Sequence, residues 1–458
     1  MTREIRLNAF VMNAPVHQSP GLWRHPRDRA TSFNRLDLWL DLARLWERGL
    51  FDGVFLADVL GPYDVYGGDA RAAVAHAAQL PANDPMLLIP AMAAVTRHLG
   101  FGVTVSLSYE HPYPLARRFS TLDHLTDGRV GWNIVTSYLD SAARALGQSR
   151  QRGHDDRYAL AEDYMEAVYK LWEGSWEEGA VLADRAIGLY ADPDRVHVVR
   201  HESPHLQMEA LHLVEPSPQR TPVLYQAGSS PAGLSFAARH AECVFVSGPS
   251  VAVIRPRVAK LREALVKAGR APDSVKVFAL ATAILGRTEA EARDKLADYR
   301  SYVDPVGALT LMGGWLGVDF AGYSLDQKIR YIDNDAGRAA MENFTRADPG
   351  RDWTVRQAAE HVAIGGAGPV FVGSGGGVAE EMAAWAEATG VDGFNLAYAV
   401  LPESFEDAVS LLIPEWQARG LYKTSYAPGT LREKLSGGSR LLSPPHPAGL
   451  ARMSQSAF

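Results

Sequence analysis

Residues 221–248 read TPVLYQAGSSPAGLSFAARHAECVFVSG. A compact apolar run, Val223 to Tyr225, stops on Gln226-Ala227-Gly228. Two serines and a proline then open a helix-like stretch, and a second apolar run starts at Cys243. Short strands this rich in Val, Phe and Leu are buried, and a helix joining two of them makes a parallel pair. Working outward, the same unit recurs. Strand-like runs are IRLNAFVM, GVFLADV, GFGVTVSLS, VGWNIVTS, PVLYQAG, CVFVSG, VKVFALATAIL and DGFNLAYAV. Helical patterns separate them, among them NRLDLWLDLARLWERGL, HDDRYALAEDYMEAVYKLWEG, VAVIRPRVAKLREALVKAG and FEDAVSLLIPEWQARG. Two more, DPMLLIPAMAAVTRHLG and YPLARRFSTLDHLTDG, each end on a glycine of C-cap type.

Eight such alternations predict an α/β protein with a closed (β/α)8 TIM barrel. Residues 1–435 form one barrel domain, interrupted by insertions near 60–85, 174–220 and 304–372. Residues 436–458, polar and proline-bearing, are a tail that wraps a partner subunit or is mobile.

The charge balance of 46 basic against 53 acidic residues leaves −7, without a block of like charges. Nucleic acid and anionic membrane both need a basic face, so neither is expected as a partner. One cysteine, Cys243, excludes an intrachain disulfide and suits a reducing cytoplasm. The start, MTREIRLNAFVMN, lacks an apolar leader, and MLLIPAMAAV is too short to span a bilayer. A cytoplasmic location is expected.

A barrel of this kind carries its chemistry at the C-terminal ends of its strands. Asn13, Ala14 and His17 follow the first strand and Asp58 ends the second. Thr104 and Ser106 end the third, followed by His111. Asn133, Thr136, Ser137 and Tyr138 come at the fourth, Gly228, Ser229 and Ser230 at the fifth, and Ser247 at the sixth. The ring is rich in hydroxyls and amides and poor in charge, suited to a large, polar, partly aromatic ligand. No metal-ligand spacing and no Gly-x-Ser-x-Gly elbow occur. VGSGGGVAEEM, at 372–382, is a glycine-rich turn entering a barrel helix rather than a dinucleotide loop. In the fourth helix Asp155 or Asp156 is a plausible N-cap. His154 and Tyr158 then face inward at a positive helix end, either as packing or as donors to an anion.

The stretches LNAFVMN, GLWRHP, ERGLFDGVFLADVLGPYDVY, HPYPLARRFSTLDHLTDGRVGWNIVTS, ADPDRVH, EPSPQRTPVLYQAGSS and DGFNLAYAV together resemble the reduced-flavin monooxygenases of the bacterial luciferase superfamily. The likeness is to the nitrilotriacetate and dibenzothiophene-sulfone branch, and within it to alkane and dimethylsulfide monooxygenases. It covers most of residues 5–250 and returns near 380–435.

The resemblance implies reduced FMN, supplied by a separate NAD(P)H-dependent flavin reductase, with O2 as co-substrate through a flavin peroxide. It implies an apolar or organosulfur substrate and a homodimer or homotetramer. Asp58, Thr104 and Asn133 would contact the flavin ring or ribityl chain, and Ser137, His154, Tyr158, Ser229 and Ser230 would surround the phosphate. His17, Tyr63 and Tyr138 would be catalytic. His17 would hydrogen-bond the peroxide or transfer a proton near neutral pH, and Tyr63 would be a phenolic donor over the flavin. Ala14, Gln79 and His111 would lie on the substrate side. Each has a plainer reading: a helix cap for Asp58, a strand filler for Thr104, a core amide for Asn133, loop packing for His17 and Tyr63. Two other functions stay open: a deazaflavin-dependent hydride-transfer enzyme and a non-catalytic flavin-binding protein.

Overall fold

The computed structural model describes residues 4–453 apart from 229, 331–341, 346, 348, 349 and 351. Its main sheet has the parallel strands β1 (Arg6–Met12), β2 (Gly53–Ala57), β3 (Gly100–Ser106), β4 (Val130–Val135), β5 (Val223–Gln226), β6 (Cys243–Val246), β7 (Lys276–Gly286), β8 (Val370–Ser374) and β9 (Gly393–Ala397). All except β8 close a barrel. Neighbours run β1 to β7 in chain order, and β9 closes the ring between β7 and β1. This is the expected (β/α)8 TIM barrel.

The ninth strand was not expected. The eleven residues of β7 fork: Phe278–Thr282 pair with β9, while Thr282–Gly286 pair with β8. The tract after β8 is also no turn. Helix α9 (Gly375–Thr389) starts at once, with Ser374 Oγ capping Gly377 N. Gly375 is required because a Cβ there would lie 2.2 Å from the Leu411 carbonyl.

The apparently continuous apolar strands hide a period of two. Leu7, Ala9 and Val11 of β1 pack outward into the core beneath the helices, while Phe10 and Met12 point into the barrel. The other strands divide likewise, with Phe55, Thr104, Asn133, Tyr225, Phe245, Leu280 and Asn395 inside. Inside, Gly131 is needed because a Cβ would meet the Tyr225 ring at 2.4 Å. Helices α1 (Leu36–Arg48), α2 (Pro112–Leu125), α3 (His154–Gly174), α4 (Pro231–His240), α5 (Val251–Lys267) and α6 (Glu289–Arg300) belong to the outer ring.

Two helix ends differ from expectation. The pattern after β2 breaks into a 3-10 turn, Pro85–Leu88, and a short helix, Ile89–Ala94, around Pro90, so Gly100 opens β3 instead of capping a helix. Helix α2 ends at Leu125, and Gly128, at φ 76°, lies in the turn beyond.

The 174–220 insertion makes two antiparallel hairpins, Val181–Asp184 with Leu189–Ala191 and Val199–Glu202 with Gln207–Ala210. The third insertion is helical. α7 (Pro305–Leu316) is capped by Asp304, whose Oδ1 accepts from Val306 N and Gly307 N at 3.1 Å. It packs with α8 (Val355–Val362) around a separate small core that includes Met312, Phe320, Phe344 and Trp353. The end of the barrel domain and the described part of the tail, residues 436–453, pack on the chain's own barrel. α10 (Leu431–Ser436) sends Leu431 and Leu435 to join Phe55, Tyr225 and Phe278. α11 (Pro447–Met453) lies on α3, tied by an Arg452–Glu173 ion pair of 2.8 Å. Among the described residues, no helix is long and apolar enough to cross a membrane, and no group of three or more metal-ligating side chains converges.

Candidate active site

A cavity of about 390 Å³ lies at the C-terminal ends of the strands. Phe10, Phe55, Phe245 and Leu280 give it apolar walls, with the Phe55 and Phe245 rings 4.0 Å apart. Asp58, Thr104, Asn133, Tyr138 and Ser247 form the polar strand ends, and Ala227 follows β5. Tyr63 and Gln79 come from the first insertion, and Trp315, Asn343 and Ala367 from the third. Among the described residues no lysine or arginine lines it.

The hydrogen-bond directions can be worked out by valence. Gln79 Nε2 donates to the His17 carbonyl at 2.7 Å, so its Oε1 must accept from Tyr63 OH, 3.0 Å away. Tyr63 has then used its proton, and its oxygen accepts from Trp315 Nε1 at 3.2 Å and from Tyr138 OH at 2.8 Å. Without a ligand the Tyr63 proton is thus given to Gln79, and both side chains line the cavity. Burial pushes Tyr63 up to about 12 and raises Tyr138 well above the ordinary phenol value, so both phenols keep their protons at neutral pH. Helix α7 lies flat on the pair: a Cβ on Gly314 would meet the Tyr63 ring at 1.9 Å.

His17 is buried edge-on to Phe10, with ring centroids 4.3 Å apart. Burial lowers it to about 3, the Phe10 carbonyl opposing weakly. Proton transfer near neutral pH does not fit a ring that stays neutral there. Its Nε2 lies 3.1 Å from Gln18 Nε2, and its Nδ1 has no partner of hydrogen-bonding geometry. Asp58 behaves in the opposite sense. Burial, with Asp84 adding repulsion, raises it to about 7 against a favourable bond from Val59 N. Asn133 Nδ2 donates to Thr104 Oγ1 at 3.0 Å, leaving Asn133 Oδ1 buried and unpaired on the cavity wall.

A second set of groups gathers where α3 and α4 begin. Gly153, not Asp155 or Asp156, is the N-cap of α3. Both acids fall in its first turn, where the helix dipole favours them. Tyr158 OH lies 3.4 Å from Gln226 Nε2. A Cβ at Gly228 or Gly233 would come within 2.4 or 2.6 Å of that hydroxyl, which explains the glycines of the AGSSPAG turn. The His154 ring is 5.2 Å from Tyr158, and His154 Nδ1 is 2.9 Å from Asp155 Oδ1. Ser230 caps α4, its Oγ accepting from Gly233 N at 3.1 Å. Ser229 lies outside the described residues. Ser137, in the left-handed region at φ 58°, is held by Ser106 Oγ at 2.7 Å and by Arg157, whose NH1 donates to its carbonyl at 2.5 Å.

Two expected residues do not join. His111 is exposed and caps α2, its Nδ1 accepting from Tyr113 N. Ala14 is buried off the cavity lining. Sequence reasoning missed Phe10, Phe55, Phe245, Gln18, Trp315, Asn343 and Arg157. The period of two inside the strands would have found the phenylalanines, and Arg157 stands between His154 and Tyr158 in one helical turn. Trp315 and Asn343 lie in the insertion where no pattern pointed inward.

A parallel barrel with an apolar cavity at its C-terminal mouth and polar groups at a helix N-terminus is a ligand-binding scaffold. Residues 10–393 match the family described as luciferase-like monooxygenase, and the chain belongs to it. The chain is 48% identical over 437 residues to a dimethyl-sulfide monooxygenase of Hyphomicrobium sulfonivorans, covering 95% of this chain and 91% of that protein. It is 46% identical to a long-chain alkane monooxygenase of Geobacillus thermodenitrificans, covering 95% of each. The crystal structure of a riboflavin lyase with modified FMN and riboflavin superposes with a TM-score of 0.92 at 34% identity, over 98% of this chain and 100% of that one.

Proposed function

We propose that this chain is the oxygenase component of a two-component system. It would take reduced FMN from a separate NAD(P)H-dependent flavin reductase and oxygenate a small, uncharged apolar or organosulfur substrate. Bound reduced FMN would supply the electron pair that reduces O2, one oxygen atom going to the substrate and the other to water. The residues present fit that group. The orphaned Asn133 Oδ1 offers an acceptor to a ring N–H against phenylalanine walls. Ser137, His154, Tyr158 and Ser230 lie around the start of α3, the positive end of a 21-residue helix, and suit a phosphate. Helix α7 contributes Trp315 to the cavity wall, an apolar cover on the insertion side.

The observation that carries the substrate class is the wall itself: largely aromatic and aliphatic, with Asp58 and uncharged polar groups and, among the described residues, no lysine or arginine. A polycarboxylate would need such cations. The test is a panel of sulfides, sulfones, alkanes and nitrilotriacetate with FMN, NADH and a generic flavin reductase. O2 uptake and product mass are followed. Uptake stimulated by an uncharged member, with one oxygen atom in the product, is expected. Oxygenation of nitrilotriacetate alone, or no stimulation by any member, would overturn the reading.

A further inference from the structure

We infer that Gln18 is a positioning residue that holds the His17 imidazole as its neutral Nδ1-protonated tautomer, making His17 a standing hydrogen-bond donor rather than a proton carrier. The tautomer follows from the geometry; what the donor serves rests on the monooxygenase reading above.

Gln18 Nε2 lies 3.1 Å from His17 Nε2. A side-chain amide nitrogen only donates, so the imidazole Nε2 must be bare and the ring proton must sit on Nδ1. Gln18 is clamped in place. It is buried, and its Oε1 packs so closely on Gly366 that a Cβ there would come within 1.9 Å. The turn carrying Gly366, at φ 69°, is itself tied to the loop after β1: Gly365 N donates to Ser19 Oγ at 3.2 Å, and Ser19 Oγ donates to the Tyr398 carbonyl at 3.2 Å. The third insertion thus reaches the imidazole through one glutamine.

The ring's surroundings keep it neutral. It is 1% exposed and stands edge-on to Phe10. The titratable groups on the cavity wall are Asp58, Tyr63 and Tyr138. The phenols are occupied with each other and with Gln79, and the polar neighbours of the ring, the Gln18 amide and the Phe10 carbonyl, are uncharged. An N–H that neither ionises nor rotates keeps the same donor strength across the working pH range. It would steady a bound oxygen atom without delivering a proton to it, and a group poised to protonate would speed the wasteful release of peroxide.

The flavin-free protein, labelled with [15N]histidine, tests the tautomer by long-range 1H–15N NMR, with His17 assigned through its loss in His17→Gln. The expected result is a protonated-type Nδ1 and a bare-type Nε2, both unchanged between about pH 5 and 8. Gln18→Glu places a pure acceptor on Nε2. The proton should then move to Nε2 and the His17 titration should enter that window. Gln18→Met keeps the bulk but removes the donor, and the two resonances should average. A protonated Nε2 in the unsubstituted protein, or an Nδ1 proton that survives both changes, overturns the inference.

The second arm measures product formed per O2 consumed and, separately, FMN affinity. Gln18→Glu should lower the product yield several-fold and leave affinity unchanged. A shifted tautomer with an unchanged yield overturns the donor role. If the unsubstituted protein shows no substrate-stimulated O2 uptake, the monooxygenase reading fails, and the donor role with it, whatever the tautomer.

Discussion

Asp58 stands at the end of β2 with its carboxyl raised to about 7, because burial and Asp84 disfavour the anion. The unfolded chain holds this carboxyl near 4, so between about pH 4 and 7 the folded state binds the extra proton. Stability from this group is therefore lost as pH rises through that window, and the loss is complete above about 7. Asp58→Asn removes it. The flavin-free variant should be more stable by about 2–4 kcal/mol at pH 8, with a smaller gain at pH 5, as read from urea unfolding. An equal gain at both pH values would show that the effect is not ionisation. The identity of Asp58 as a strand-end carboxylate was legible in the sequence. Its raised affinity for a proton was not, because that depends on which groups the fold brings over it. The same holds for Tyr63: a phenol near the site could be read, but the commitment of its proton to Gln79 depends on the His17 carbonyl that orients the amide, a contact between two separate loops.

At the scale of elements, two joints govern the site. The β5–α4 turn brings Gly228 and Gly233 against Tyr158 OH. Gly228→Ala should push Tyr158 aside and weaken FMN binding, measured by fluorescence quenching of titrated FMN, while Ser230→Ala should mainly remove a helix cap worth about 1 kcal/mol. Unchanged FMN affinity in Gly228→Ala would move the phosphate seat away from α3. At the opposite end of the barrel, Arg432 of α10 makes a bidentate pair with Glu242, at 2.7 and 2.9 Å, and bonds the carbonyls of Gln219, Thr221 and Pro222. Removing one partner of a buried pair leaves a bare charge, so Arg432→Met should destabilise by about 3–5 kcal/mol in denaturant unfolding. A loss under about 1 kcal/mol would show that Glu242 finds water or another cation. The helix itself was foreseeable from Thr430 and Glu433, whose side chains form a capping box, but not the barrel floor it covers.

For the whole molecule, the hairpins of residues 174–220 carry Leu182, Ile187, Tyr190, Val198 and Leu213 exposed, Ile187 by 71%. Apolar groups so concentrated on one insertion suit burial against another chain. We propose that a second copy of this chain, in the homo-oligomer that the family resemblance implies, covers them. Ile187→Asp should lower the mass seen by light scattering to that of one chain, and an unchanged assembly would put the interface elsewhere.

The alternation of buried strands and amphipathic helices was enough to specify the barrel, and the strand-end hydroxyls and amides marked which mouth holds the site. Both are local: periodicity and strand polarity depend on neighbours a few residues away. The tertiary structure alone decided the rest. It added β8, which pairs only where β7 overruns the ring, and laid the tail on its own barrel. It brought Trp315 to Tyr63 and Gly366 to Gln18. Those contacts join segments separated by hundreds of residues, and their hydrogen-bond directions, burial and proton affinities exist only once the chain has closed around them.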